Sequence, residues 1–335
     1  MMRRWLLPVL LAVALPALPA TPVPSAAAAG TPAHGLSVID TTPAFWRFWR
    51  SAAGRTDAVR VQRFLDAVVG SRPELFSATV LGTGTALSGD VTQDPHAIVG
   101  AYLHDVAPWI PAMRRLSATL HRDLGAYAQD FAATFPDFAP VSPVYFTVSL
   151  FSFDGATRDV EGKTALLFGI DGIARFHAPG ANLKVFFDHE LFHQYHDQLQ
   201  PATDDDTPLW GSLWEEGLAT WVSLQMNAGS TEADALMSPT LGAAAQALLP
   251  ALARELLQNF DSTDRKEYAA FFHGRNDRPD LPPRCGYYVG YRVAQRLAAG
   301  RDLAQLARLQ GPGLADEIRS ALQDLAGTGE PRSGL

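Results

Sequence analysis

Asp188-His189-Glu190-Leu191-Phe192-His193 is the stretch on which the reading of the chain turns. It contains His-Glu-x-x-His, a spacing with a mechanical meaning. Residues four apart on an α-helix share one face, with Cβ atoms about 5–6 Å apart. Two imidazoles placed this way can both reach one ion at about 2.0–2.1 Å. Glu190 follows the first histidine and would stand beside the ion, where a carboxylate can work on bound water. The competing reading is an ordinary helix with two unrelated histidines and a surface glutamate.

The surrounding residues weigh against that plainer reading. Val185, Phe186, Phe187, Leu191, Phe192, Tyr195 and Leu199 spread around a helix expected over 181–199. A helix apolar on nearly all sides is buried, and two histidines and a glutamate buried without partners are costly. A metal ion removes that cost. His196 lies about 10 Å along the axis from His189 at about 1.5 Å per residue. It therefore reads as a neighbour of the site, facing substrate or supporting the ligands, or else as a structural residue.

A loop follows, with three consecutive aspartates at 204–206 that lack the alternating spacing of a calcium loop. Thr207 is expected as the N-cap of the next helix, with Pro208 in its first turn. That helix carries Trp214-Glu215-Glu216-Gly217-Leu218-Ala219. A catalytic zinc takes three protein ligands and keeps one position open. Glu216 is placed to be the third, after the rest of one helix, a loop and a turn or two of the next. Gly217 beside it suits a close approach of two helices. A surface Glu-Glu pair fits poorly with Trp210, Trp214 and Trp221 around it.

Upstream, Val144-Tyr145-Phe146-Thr147-Val148-Ser149-Leu150-Phe151 is rich in aromatic and β-branched residues and reads as a strand. Asp154-Gly155 offers a turn, and 164–170 reads as a second strand. An edge strand beside a zinc helix can pair with an extended substrate backbone; the alternative is sheet core with no substrate role. Before this region the chain patterns as helix. Phe45-Trp46-Arg47-Phe48-Trp49-Arg50 reads as core aromatics at helical spacing, with a membrane-surface anchor as the alternative. Val59, Val61, Phe64, Leu65 and Val68 form an apolar stripe, and further helices are expected over 95–110 and 113–135. His96, His104 and His121 have no second ligand at metal spacing and read as surface or satisfied histidines. Downstream, helices are expected over 231–237, 241–257, 301–308 and 314–325, with a proline-rich loop over 275–284 that could line a cleft.

The first thirty residues should not be counted as fold. A short basic start at Arg3-Arg4, an apolar run over 5–18 and small residues thereafter are the layout of a secretory signal peptide. The run is shorter than the roughly 20 apolar residues of a membrane span. Cys285 is the single cysteine, so no disulfide can form within the chain and no lipoprotein cysteine stands at a cleavage site. The 335 residues are 47% hydrophobic, which is ample for a sizeable core. Lys+Arg number 27 against 35 acids, a net charge of −8 that becomes −10 once Arg3 and Arg4 are removed. That balance argues against nucleic acid or anionic membrane as partners.

Taken together, His189-Glu190-x-x-His193 and Trp214-Glu215-Glu216-Gly217-Leu218-Ala219 resemble the gluzincin metallopeptidases. In their aminopeptidase branch the third ligand lies in a Trp-Leu-Asn-Glu-Gly-Phe-Ala run, so Glu216 matches the ligand and Glu215 replaces the asparagine. Cys285-Gly286-Tyr287-Tyr288-Val289-Gly290-Tyr291-Arg292 is similar to that branch's Tyr-x-x-Gly segment, whose tyrosine steadies an oxyanion. Tyr287 takes that slot, with Tyr288 and Tyr291 as alternatives. The arrangement, over roughly 140–300, is also similar to a bacterial family of predicted zinc-dependent proteases of unknown function. One departure is plain: no Gly-x-Met-Glu-Asn segment is present, and Gly169-Ile170-Asp171-Gly172 stands where it would be expected. The resemblance therefore does not carry over an aminopeptidase specificity.

The expected fold is α+β and mainly helical, with a small mixed sheet packed on the zinc-binding helix. The expected layout is a signal peptide over 1–29, a helical N-terminal region over 30–137, a zincin-like domain over 138–327 and a tail over 328–335. The expected function is an exported, periplasmic or extracellular zinc peptidase acting on a peptide or protein. His189, His193 and Glu216 would hold Zn²⁺, Glu190 would be the general base and Tyr287 the oxyanion donor. No stable membrane insertion is expected after signal removal. The alternative is a non-catalytic zinc-binding or chaperone-like module on the same scaffold.

Overall fold

The computed structural model describes residues 36–140, 142–177, 180–200, 207–274 and 278–327. The signal peptide expected over 1–29, the acidic run at 204–206 and the tail over 328–335 lie outside these residues, as do residues 275–277 of the proline-rich loop. The fold is α+β and mainly helical, with one small mixed sheet.

The first described element is strand β1 (Val38–Asp40), which the sequence pattern did not announce. Helices α1 (Thr42–Ser51) and α2 (Asp57–Phe64) follow, the latter widening into a π turn over Leu65–Val69. In α1, Phe45 and Phe48 are buried and meet Phe64 edge-on at 6.5 and 5.3 Å, which is the core reading of the aromatic hexamer. Trp46 and Trp49 lie nearer the surface under the guanidinium groups of Arg114 and Arg60. Val59, expected on the apolar stripe of α2, is instead 40% exposed. Helix α3 (Ala78–Leu81) is short; α4 (Pro95–Asp105) is capped by Asp94, whose carboxylate accepts from the His96 backbone N–H at 3.0 Å. The long α5 (Ile110–Thr134) leads into the sheet.

Strand β2 (Val144–Thr147) is shorter than the expected 144–151. Its extension fails because the Asp171 carboxylate accepts from the backbone N–H groups of Ser149 and Phe151, at 2.7 and 3.0 Å. These bonds bend the chain away from the sheet, and Leu150 and Phe151 take φ of 52° and 60°. Asp154-Gly155 is not a turn. Gly155 opens strand β3 (Gly155–Val160), which the sequence did not reveal, and Glu161-Gly162 is the turn. Both turn residues have positive φ, 53° and 78°, the conformation a two-residue hairpin favours. Strand β4 (Lys163–Gly169) returns antiparallel, and Ile170, expected in that strand, starts helix α6 (Ile170–Phe176).

The sheet order is β1-β2-β4-β3, with β1 and β4 both parallel to β2 and β3 antiparallel on the edge. Strand β1 therefore ties the N-terminal stretch into the same sheet as the later strands. The described residues belong to one compact unit. Helix α7 (Leu183–Leu199) carries the His-Glu-x-x-His stretch and starts at Asn182, whose side chain accepts from the Lys184 backbone N–H. It lies on the sheet through Phe186 and Phe187, which meet Phe168 at 5.6 and 5.5 Å; Phe168 in turn stacks on Phe146 at 5.3 Å. At its far end Tyr195 packs on Phe135 and donates to Asp137 at 2.8 Å.

Helix α8 (Leu209–Met226) has Pro208, rather than Thr207, at its N-cap. The fold is completed by α9 (Glu232–Ala235), α10 (Leu241–Gln258), α11 (Arg265–Phe272), α12 (Cys285–Leu297), α13 (Leu303–Ala307) and α14 (Gly311–Ala326). The glycine next to Glu216 does serve a close helix crossing, but the partner is α12 rather than α7. A Cβ at Gly217 would stand 2.1 Å from the Gly290 carbonyl carbon, so both helices need glycine there. Cys285 is buried as an ordinary packed side chain in the first turn of α12.

Candidate metal centre and the groups around it

Helices α7 and α8 bring His189, His193 and Glu216 to one point. The Nε2 atoms of His189 and His193 are 3.1 Å apart, and each is 3.4 Å from Glu216 Oε2. Donors about 2.0–2.1 Å from a tetrahedral zinc stand about 3.3–3.4 Å from each other. The two edges to Glu216 match that figure, and the edge between the imidazoles is about 0.2 Å shorter. Glu216 Oε2 is buried, and its hydrogen-bonding capacity is not met by any described residue. Two nitrogens and a carboxylate oxygen converging with an unsatisfied acceptor among them are a donor set that fits a divalent metal ion.

The helices are fixed around this point by a second group of polar contacts. Asp188, fully buried beside His189, accepts from Lys184 Nζ at 2.8 Å and from Asn227 Nδ2 at 2.7 Å. Asn227 ends α8, so this carboxylate pins the start of α7 to the end of α8. Burial pushes the Asp188 carboxyl up, against the pull of Lys184 and Asn227. The phenol of Tyr287 lies against His189 with ring centroids 6.2 Å apart and planes at 26°. Tyr288 instead donates to Gln246, and Tyr291 packs on Trp221, so Tyr287 is the tyrosine of the three that meets the centre. His196 is not part of the triangle. It stacks on Phe192 at 5.7 Å, pairs with Gln200 at 3.1 Å and is held neutral by burial, its pKa pushed down to about 4.

Glu190 lies where strand β3 begins. A Cβ at Gly155 would stand 2.5 Å from the Glu190 carboxyl carbon, so its carboxylate rests against glycine backbone at the edge of the sheet. Burial raises the Glu190 pKa to about 8, with Asp154 and Glu216 adding and His193 and Arg284 opposing. Burial also raises Glu215, to about 7. Glu216 stays ionised against its own burial because His193 and His189 face it. Burial works against the His193 charge as well, but Glu216 overrides it and lifts His193 to about 9.

Three further groups sit here that the motif did not announce. Asp154, next to Gly155, pairs with His177 at 2.9 Å, and His177 packs on Phe186 of α7. Tyr268 of α11 is partly exposed and lies on Phe272, which packs on Tyr287, so α11 and α12 make an aromatic wall. Arg284 precedes α12 in the left-handed region, with φ 65° and ψ 20°. Its guanidinium lies 4.4 Å from the centroid of the Tyr287 ring. Left-handed backbone costs a non-glycine residue about 1–2 kcal/mol, and such outliers gather at functional sites. The sequence signal for Arg284 was its place three residues before Tyr287, at the end of the proline-rich loop.

His96, His104 and His121 are exposed and far in kind from this group: they pair with Asp94, Asp105 and Asp40 on the surface. Two concavities lined by residues such as Asp40, Thr42, Ser117 and His121 share no residue with the centre. No described helix is long and apolar enough to cross a membrane.

Fold and site together define a mainly helical α+β protein with a His-His-Glu group that could hold a metal ion. Over residues 170–309, less than half of the chain, the sequence matches the family described as Predicted Zn-dependent protease (DUF2268). The matched segment runs from α6 to the end of α13 and contains His189, Glu190, His193, Glu216, Arg284 and Tyr287. No curated protein matches the chain, and no solved structure matches it.

Proposed function

We propose that this chain is a zinc-dependent peptidase in which His189, His193 and Glu216 hold the metal. The observation that carries the reading is the triangle of donor atoms at 3.1, 3.4 and 3.4 Å with Glu190 packed beside it. A zinc ion bound there supplies Lewis acidity towards a carbonyl group and towards water. Glu190 then accepts a proton from the attacking water and returns it to the leaving amine nitrogen. Its buried carboxyl binds protons more tightly than an ordinary glutamate, which suits a base working near neutral pH; a neighbouring dication would lower that affinity towards the working range. The Tyr287 hydroxyl donates to the carbonyl oxygen as negative charge grows there, an interaction whose loss costs about 10²–10³ in rate.

Strand β3 supports a peptide substrate rather than a small amide. It is the antiparallel edge of the sheet, and its first residue touches Glu190. An extended peptide aligned on such an edge has its backbone held next to the base. The leader-like N-terminus supports an exported enzyme, acting in the periplasm or outside the cell. The zinc site carries the proposal over a binding module because His₂Glu leaves a position open, whereas structural sites are closed and cysteine-rich.

The test pairs wild type with Glu190→Gln. Metal per chain and hydrolysis of a peptide library are measured on both. One zinc per chain in each, with hydrolysis lost by about 10²-fold or more in the variant, is the expected result. A fully zinc-loaded Glu190→Gln protein that cleaves at the wild-type rate refutes the assignment.

A further inference from the structure

Arg284 is a costly residue where it stands. Glycine would adopt φ 65° without strain, yet the position holds a long cationic side chain. Its guanidinium rests on the Tyr287 ring at 4.4 Å. Among the described residues, no carboxylate lies within ion-pair distance of it, although its charge is felt at Asp154, His189, Glu190 and Tyr287. Arg278 of the same loop is used differently, gripping Glu255 and Asp280 at 2.7 Å. Half-buried beside the centre, Arg284 presents a planar set of N–H donors that no described carboxylate receives. That donor fork matches a carboxylate in a bidentate manner.

We propose that Arg284 is the subsite for a substrate carboxylate, holding an anionic peptide group next to the Tyr287 phenol. The proposal rests on the peptidase reading above and adds to it a substrate class: peptides with a negative charge near the bond to be cleaved. That charge has two sources, a free C-terminal carboxylate or an acidic side chain. The aromatic wall of Tyr268, Phe272 and Tyr287 leaves an apolar surface beside the guanidinium, and contact with the ring keeps the fork oriented between substrates.

The experiment reads binding, so that it does not depend on turnover. The zinc-loaded full chain carrying Glu190→Gln is titrated calorimetrically with three short peptide sets: neutral with a free C-terminus, neutral and amidated, and amidated with one Asp or Glu. The titrations are repeated with Arg284→Gln and with Arg284→Gly added. The glycine variant relieves the backbone strain, so a folding defect does not confound it. The expected result is that one anionic set binds at least about 10-fold tighter than the neutral amidated set, and that both added substitutions reduce the ratio to about 2-fold or less. Which anionic set wins identifies the source of the charge. Equal affinity for all three sets, no binding of any set, or an anionic preference that survives both substitutions overturns the proposal. The peptidase reading fails separately, if peptides that bind the Glu190→Gln chain are left intact by the zinc-loaded wild type.

Discussion

Gly155 offers the sharpest handle on the base. Its φ is outside the left-handed region, so alanine can adopt the same backbone without strain. The added methyl would nevertheless stand 2.5 Å from both Cδ and Oε1 of Glu190, and 2.9 Å from Cζ of Phe186. Ordinary contact begins at 3.4 Å, so the carboxylate must retreat by about 0.9 Å, and a misplacement of about 1 Å in a reacting group costs about 10²-fold in rate. The Glu190 overlap falls on the far end of a flexible side chain, while the Phe186 ring of α7 must also give by about 0.5 Å. His189, His193 and Glu216 are not touched. Gly155→Ala is therefore expected to lose about 10²-fold in kcat while keeping its zinc, with a thermal midpoint lowered by a few degrees at most as the Phe186 ring shifts. The assay is a peptide-cleavage time course alongside metal analysis and circular dichroism, with Gly155→Ala also placed on the Glu190→Gln background. There it should cost almost nothing further, since the group it displaces is already disabled. Wild-type turnover in the zinc-loaded Gly155→Ala protein would show that Glu190 is not the base in the position described. A loss of turnover in step with a loss of zinc would equally sink the argument.

Other expectations follow from the same geometry. Glu216→Ala removes one of three donors, and zinc affinity should fall by more than the roughly 10–100-fold typical of losing a supporting group; competition with a fluorescent chelator measures it. Gly217→Ala forces a methyl into the Gly290 backbone at 2.1 Å, so α8 and α12 must part, at a cost of about 1–3 kcal/mol. A drop in thermal midpoint of several degrees is expected in a scanning melt, and an unchanged midpoint would contradict the crossing. His196 is buried neutral, its pKa pushed from 6.5 down to about 4 by burial and by His193. The unfolded chain takes up that proton first, so His196 leaves stability intact above pH 6.5 and erodes it as the pH falls towards 4, by about 3 kcal/mol at most. His196→Leu should flatten the melting temperature across that window. A wild-type slope in the variant would argue against it.

The site was legible where chemistry dictates spacing. His189 and His193 had to be four apart, Glu216 had to come from a following helix, and glycine beside it had to mean a close approach. Tyr287 was singled out through a resemblance, and of the three tyrosines it is the one in ring contact with His189. What the sequence hid is equally physical. Strand β3 reads Gly-Ala-Thr-Arg-Asp-Val, too polar and too small to announce itself, because an edge strand packed against Glu190 has no room for bulk there. Strand β1 spans three residues and owes its conformation to a partner far along the chain. The loss of strand character after Thr147 depends on Asp171, twenty-odd positions later. Arg284 stood in a proline-rich loop that could line a cleft, but nothing in its composition singled out that residue.

The placement of β1 has a kinetic consequence. Thr41, just past β1, donates its hydroxyl to the Phe146 carbonyl 105 positions away, and the elements between β1 and β2 are all helices. Helices form from local contacts, whereas a parallel strand pair must first close the whole intervening loop. The hairpin of β3 and β4, with its two-residue turn, can therefore form early and present the edge next to Glu190 before β1 has found β2. A nascent chain would assemble the sheet edge beside Glu190 first and close the opposite edge last. Until that closure the backbone groups of β2 would be open to pairing with another chain, which makes residues 38–40 a guard against aggregation as much as a part of the fold.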